Sequence, residues 1–330
     1  MAIKKEDYIC LSAMLRAREI RLLTNEKAIR MIDAASFEEA CKVLIDCGYE
    51  DLGKCTEGEI NIALEDRLSS VLSELKRLTP DVRVLDLFAS KYDYHNAKVL
   101  IKSESMHTQS NEIMSNAGRI STEKLSFAFT EEIYRDIPVA FAKAIVEAKE
   151  VLARTANPQK ADFILDKAYF KELLMYADEI GCDYVNAYVK LLIDSANLKS
   201  YVRSKKMGKS EDFLSEALIS DGNVSTDRIL SATDGEALSS LFVMSPLEEA
   251  ATLGKEVISG GRMTAFELAC DNAVNAYLRK SRLITYGPEA VLSYLASLET
   301  ELTAVRMILS CNLAGVNSEV IKERLREMYA

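Results

Sequence analysis

The chain reads as all-α, and three observations predict it. Gly supplies only 13 and Pro only 5 of the 330 residues, too few turn-formers for a many-stranded sandwich or barrel. No segment sustains apolar–polar alternation between turn signals, so no sheet is assigned. Apolar residues instead recur at helical spacing: Leu64, Leu68, Val71, Leu72, Leu75 and Leu78 fall on one stripe, with charged residues opposite. With 48% hydrophobic and 28% charged residues, the composition is that of a folded protein. The length exceeds that of one ordinary core, so two or three cores are expected.

The elements follow in chain order. Residues 64–78 predict one helix. Ser245, Pro246, Leu247 and Glu248 read as a helix start, because Ser accepts from an orphan amide, Pro presets φ and the acid complements the dipole. Gly287, Pro288 and Glu289 ahead of Val291, Leu292 and Leu295 announce a second start of the same kind.

The most informative feature is self-similarity at a period near 100 residues. Asp93, Asn96, Ala97 and Lys98 are matched by Asp194, Asn197, Leu198 and Lys199, and more weakly by Glu301, Ala304, Val305 and Arg306. A second landmark, Gly118-Arg-Ile-Ser121-Thr122-Glu123, recurs as Gly222-Asn-Val-Ser225-Thr226-Asp227 and faintly as Gly315-Val-Asn-Ser318-Glu319. It reads as a helix stop and restart, with Gly at positive φ and a Ser or Thr cap before an acidic first turn. A third pairs Asp162 with Asp166, Glu267 with Asp271 and Asn61 with Glu65. Landmarks in one order at similar spacing imply three homologous helical domains, over 1–117, 118–221 and 222–330, each large enough for its own core. They would stack in a row or close around a pseudo-three-fold axis.

Asp93, Asn96, Lys98, Asp194, Asn197, Lys199, Glu301 and Arg306 are the candidate site residues of this pattern. A catalytic residue need not occur three times, whereas a brace needed by every domain would, so repetition favours bracing over a ring of partner-contacting groups.

Other chemistries find little support. The 51 acids against 41 bases, a net charge of −10, disfavour nucleic acid. The longest charge-free stretch, Met307 to Ser318, is far short of a membrane span. Lys4 and Lys5 are followed at once by Glu6 and Asp7, so no signal peptide is read and a cytoplasmic location is expected. Seven scattered cysteines without a CxxC pair argue against disulfides and zinc and read as small buried hydrophobes. No phosphate-binding glycine motif, HExxH or GxSxG is present, and His95 and His107 have no ligand partner. No cofactor is expected. The sharpest enzymatic alternative is Asp162 and Asp166, which share a helix face at i and i+4 and would bind magnesium in an all-helical prenyl-type diphosphate enzyme. Their drift to Glu267/Asp271 and Asn61/Glu65 suits solvated positions better.

The runs LDLFASKYDYHNAKVLIKSE (Leu85 to Glu104) and ITYGPEAVLSYLASLETELTAVRMILSCNLAG (Ile284 to Gly315), with LRAREIRLLT (Leu15 to Thr24), resemble the C subunit of bacterial and archaeal V-type ATPases, the counterpart of the eukaryotic d subunit. The resemblance covers most of the chain. It implies a funnel of three helical domains about a pseudo-three-fold axis, with no active site. Its mouth would receive the central shaft formed by the D and F subunits. Its base would rest on the cytoplasmic side of the proteolipid ring, making the chain a torque-transmitting adaptor peripheral to the membrane. The third unit departs from the pattern, with Ala304 where the others carry Asn96 and Asn197, so it must brace differently.

Overall fold

The computed structural model describes residues 3–106 and 113–329, and no strand occurs among them. His107 lies outside the described residues. A 3-10 turn (Lys5–Tyr8) precedes α1 (Ile9–Glu19), α2 (Asn25–Ile32), α3 (Phe37–Ile45), α4 (Glu57–Leu78) and α5 (Arg83–Met106). Then come α6 (Thr122–Glu131), α7 (Val139–Thr155), α8 (Pro158–Ile180), α9 (Asp183–Lys206) and α10 (Glu211–Ala217). The remainder is α11 (Thr226–Ser231), α12 (Gly235–Ser240), α13 (Glu248–Ile258), α14 (Met263–Arg279), a 3-10 turn (Lys280–Leu283), α15 (Pro288–Leu313) and α16 (Ser318–Lys322).

Local chemistry explains the main boundaries. Of the expected stripe on α4, Leu64, Leu68 and Leu75 are buried and Val71 and Leu72 half-buried, but Leu78, in the last turn, is exposed, because no neighbour covers the helix end there. Thr56 and Glu59 close a capping box at its start. α15 begins at Pro288, as its Gly-Pro-Glu start predicts. α13 begins three residues after Ser245 with Leu247 as N-cap and no side-chain cap. Ser245 instead accepts from the Leu247 amide at 3.2 Å and donates to Phe242 O at 2.7 Å, stabilising the turn ahead of the helix.

Three long helices, α5, α9 and α15, carry buried residues around much of their circumference, as helices do when neighbours cover every side. The apolar cores are shared between them. One core joins Tyr94 to Ile101 of α5 with α6, α7 and the start of α8, through Leu125, Phe141, Ile145 and Leu165. A second joins Leu198, Tyr201 and Val202 of α9 with α10 to α14, through Leu238, Phe242, Phe266 and Cys270. The largest gathers α1 to α4, the first turns of α5 and α9, the end of α8 and all of α15. Residues from both parts of the chain, such as Met31, Leu44, Leu64, Val305 and Ile308, meet there. Thus α5, α8 and α9 each divide their length between two cores.

Of the cysteines, Cys41, Cys47 and Cys270 are buried and Cys10 is exposed, so the reading as small core residues fails at Cys10. Burial pushes the Cys41 thiol up to about 11 and that of Cys270 to about 12.

Candidate functional site

The repeated aspartates sit at equivalent places on two of the long helices. Asp93 is fully buried on α5; its Oδ1 accepts the Ile120 amide at 3.2 Å and its Oδ2 the Arg119 Nε at 2.6 Å. Asp194 on α9 repeats this, with the Val224 amide at 3.1 Å on Oδ1 and Asn223 Nδ2 at 2.8 Å on Oδ2. Asn96 exchanges two 2.8 Å bonds with the backbone of Ser115, and Asn197 does the same with Ile219. In both cases an aspartate and an asparagine one turn apart hold the loop that follows the helix, substituting for loop partners it cannot supply itself.

The first two glycines of the second landmark owe their place to this contact and not to backbone handedness. Positive φ occurs at Gly315 but not at Gly118 or Gly222. A Cβ at Gly118 would collide with Asp93 Oδ1, and one at Gly222 with Asp194 Oδ1. The caps also differ: Ser121 accepts from the Lys124 amide at 3.3 Å, Ser225 makes no side-chain cap bond, and in the third copy Asn317 caps α16 through the Glu319 amide.

The third copy holds the other end of the chain. Glu301 on α15, buried, accepts the Leu23 amide at 2.6 Å and the Tyr49 hydroxyl at 2.5 Å, with Arg67 at 3.7 Å. Burial raises its carboxyl above the ordinary 4.5, while the two hydrogen bonds and Arg67 oppose that rise. Ala304 is buried and offers no polar contact, so the longer glutamate alone holds the loops that Asp and Asn share elsewhere.

A second layer repeats one turn further along. Lys98 donates to Asp166 at 2.5 Å and Lys102 to Asp162 at 2.7 Å, between α5 and α8. Lys199 donates to Asp271 at 2.6 Å and Arg203 to Glu267 at 2.6 Å, between α9 and α14. Between α15 and α4, Arg306 Nε donates to Asn61 at 2.9 Å and Ser310 to Glu57 at 2.9 Å. The third pair is therefore Glu57 and Asn61, one turn earlier than the spacing of Asn61 and Glu65 suggests, and the acceptors 57, 162 and 267 stand at a constant step of 105 residues. Glu65 instead caps the loop after α5 through the Asn116 amide at 2.8 Å.

Asp162 and Asp166 thus each face a lysine ammonium, which overturns their reading as a magnesium-bridging pair. No group of three or more His, Cys, Asp or Glu side chains that would hold a metal occurs among the described residues. Nor is any helix among them long and apolar enough to cross a membrane. His95 Nε2 lies 3.2 Å from the Ile113 carbonyl.

Between α5, α8, α9, α14 and α15 lies a cavity of about 410 Å³, with Lys91, Tyr169, Tyr188, Leu192, Ala196 and Glu299 in its wall. Lys91, Leu192 and Glu299 precede the three motif acids by two residues each. Two of these equivalent positions are joined across the cavity, because Lys91 pairs with Glu299, which also accepts the Tyr92 hydroxyl at 2.6 Å. Burial pulls the Lys91 ammonium below its ordinary 10.5 and Glu299 opposes it.

Sequence reasoning missed Arg119, whose Nη1 donates to Glu172 at 2.7 Å and to Tyr176 at 2.8 Å while its Nε holds Asp93. Burial opposes its charge, but the two carboxylates outweigh that and raise its pKa. Its place inside the second landmark was the available signal, but the partners lie 53 and 57 residues away.

A sequence model of the family described as ATP synthase (C/AC39) subunit matches residues 11–324. Among curated proteins, the C subunit of the V-type sodium ATPase of Enterococcus hirae is 23% identical over 329 residues, covering 98% of this chain and 99% of that protein. The C subunit of the A-type ATP synthase of Methanocaldococcus jannaschii is 26% identical over 352 residues, covering 98% and 88%. That of Pyrococcus horikoshii is 22% identical over 342 residues, covering 98% and 92%.

Proposed function

The chain belongs to the ATP synthase (C/AC39) subunit family, and from that membership we propose that it is the socket joining the shaft of a rotary V/A-type ATPase to its membrane ring. At the coarser level it is a non-catalytic subunit of such a complex; it matches 99% and 88% of the length of two C subunits. In the finer reading, the D and F subunits enter a funnel mouth, the opposite end sits on the proteolipid ring at the cytoplasmic face, and torque passes through the body between them. The repeat-motif residues brace that body and touch neither partner.

One observation carries this reading: the cation ladders interlock in a cycle. Lys98 of segment 1–117 is held by Asp166 of segment 118–221, Lys199 of that segment by Asp271 of segment 222–330, and Arg306 of the last by Asn61 of the first. Three like segments linked head to tail and back again suit closure about a three-fold axis, with the cavity of Lys91, Leu192 and Glu299 on it. A closed ring resists twisting through packed helices and needs no single deep ligand site.

The test is co-elution of the purified chain with a D–F pair and, separately, with detergent-solubilised proteolipid ring. Complexes with both are expected, each burying at least about 1,000 Å². Leu192→Arg should weaken the D–F complex and leave the ring complex intact. A chain that binds neither, or a D–F complex indifferent to Leu192→Arg, would overturn the socket.

A further inference from the structure

The geometry points to a basic, aliphatic-tipped face, built where the ends of α1, α4 and α14 meet, that docks directly on an anionic phospholipid surface. Three contacts bring these ends together. Arg16 near the end of α1 donates to Ser281 O at 2.5 Å and Ile284 O at 3.3 Å, beyond α14. Arg18, half a turn on, forms a two-bonded pair with Glu74 in the last turns of α4, at 2.8 and 2.7 Å. Tyr329 closes the junction, its hydroxyl bonded to Arg16 at 2.9 Å and to Glu19 at 3.2 Å.

Three carboxylates at this junction are taken, Glu19 by Arg16, Glu74 by Arg18 and Glu327 by Arg279, while Glu26, next to the Asn25 that accepts the Met328 amide, is exposed without an ion pair among the described residues. Arg21, Arg77, Lys280 and Arg282 are exposed and make no ion pair among the described residues. An excess of unneutralised cations in one place is notable on a chain of net charge −10, and its field attracts a negative surface. Beside them stand the most exposed aliphatic side chains of the neighbourhood, Leu283 at 90% and Ile20 at 81%, with Leu78 at 46%. Isolated exposed aliphatics are ordinary, but here each is flanked in sequence by a cation: Arg21 after Ile20, Arg77 before Leu78, Arg282 before Leu283. That pairing suits the headgroup boundary of a bilayer, where cations meet phosphates while short apolar tips enter the acyl edge. A folded acidic protein would reward the cations equally but would leave Leu283 and Ile20 in water unless it offered pockets for them.

The test uses the full chain and sedimentation with vesicles of phosphatidylcholine alone or mixed with phosphatidylglycerol. Binding to the mixed vesicles only is expected, weakening as salt rises. Lys280→Ala and Arg282→Ala should each reduce it about 5-fold, and Leu283→Asn combined with Ile20→Asn should also reduce it. Lys209→Ala, remote from the junction, serves as the control, and far-ultraviolet circular dichroism checks that all variants fold. No preference for the anionic vesicles, as an acidic protein partner would give, overturns the proposal; so does binding that the junction variants leave unchanged. A chain that assembles with shaft and ring yet ignores vesicles would sink this inference and leave the socket standing.

Discussion

Gly118 and Gly222 show how a single atom of space sets a residue's identity. Neither uses the backbone freedom of glycine; each lets a buried aspartate carboxylate lie against the main chain. Gly118→Ala and Gly222→Ala should each cost about 1–3 kcal/mol, as added atoms do in filled interiors, read from urea unfolding. A near-neutral result would mean that the loop moves aside freely. Glu301 gives a pH-dependent test. Its folded pKa is raised by burial, so the folded chain holds the proton more tightly than the unfolded one. Its contribution to stability is complete below about 4.5 and is lost as pH rises through the folded value. Glu301→Gln keeps an acceptor for the Leu23 amide and removes the charge. The melting temperature of the variant minus that of the parent should therefore increase between pH 4 and pH 7.5, and a difference that stays flat or falls would show that Tyr49, Leu23 and Arg67 outweigh burial.

Helix termini separate what sequence shows from what packing decides. The landmark residues Ser121 and Ser225 look alike in sequence, each followed by Thr and an acid. Only Ser121 reaches an amide. Ser121→Ala should cost about 1 kcal/mol and Ser225→Ala clearly less, measured side by side by thermal unfolding; equal losses would show that capping does not distinguish the copies. The helical class, most of the stripe on α4, the start of α15 and the repeated Asp–Asn pairs are legible in the sequence, because each depends on spacing within a helix or on a local rule. Three things are not. Arg119 with Glu172 joins side chains far apart in sequence, and no local pattern records that meeting. The third acceptor pair slips by one turn because α4 precedes its partner α15 by most of the chain, and Glu65 fits the same i, i+4 spacing as Asn61. The glycines hide their cause because positive φ and steric exclusion select the same residue.

For the molecule as a whole, the chain's two ends share one core. Helices α1 to α4 supply Leu15, Met31, Leu44 and Leu64, and the far end supplies Val305, Ile308, Ile321, Met328 and Tyr329. The Met328 amide donates to Asn25 at 3.0 Å, and the Tyr329 hydroxyl meets Arg16, Glu19 and Ser281. Packing the beginning of the chain against its end closes the arrangement, so the junction should open more readily than the cores built from consecutive segments. Tyr329→Ala removes a ring that is 5% exposed together with its hydroxyl network, and by the usual loss on truncating a buried aromatic it should cost about 3–5 kcal/mol. Native-state hydrogen exchange should then show lost protection in α1, α2 and the turn Lys280–Leu283, while amides of α7 and α13, whose cores contain no residue from either end, stay protected. Because Arg16 is half-buried beside Glu19, loss of the hydroxyl alone is separable: Tyr329→Phe keeps the ring and should open the same amides by a smaller amount. If exchange instead rises uniformly in Tyr329→Ala, the molecule unfolds as one unit and the join between the two ends has no independent stability. Local opening confined to the junction would identify it as the place where the folded molecule yields first.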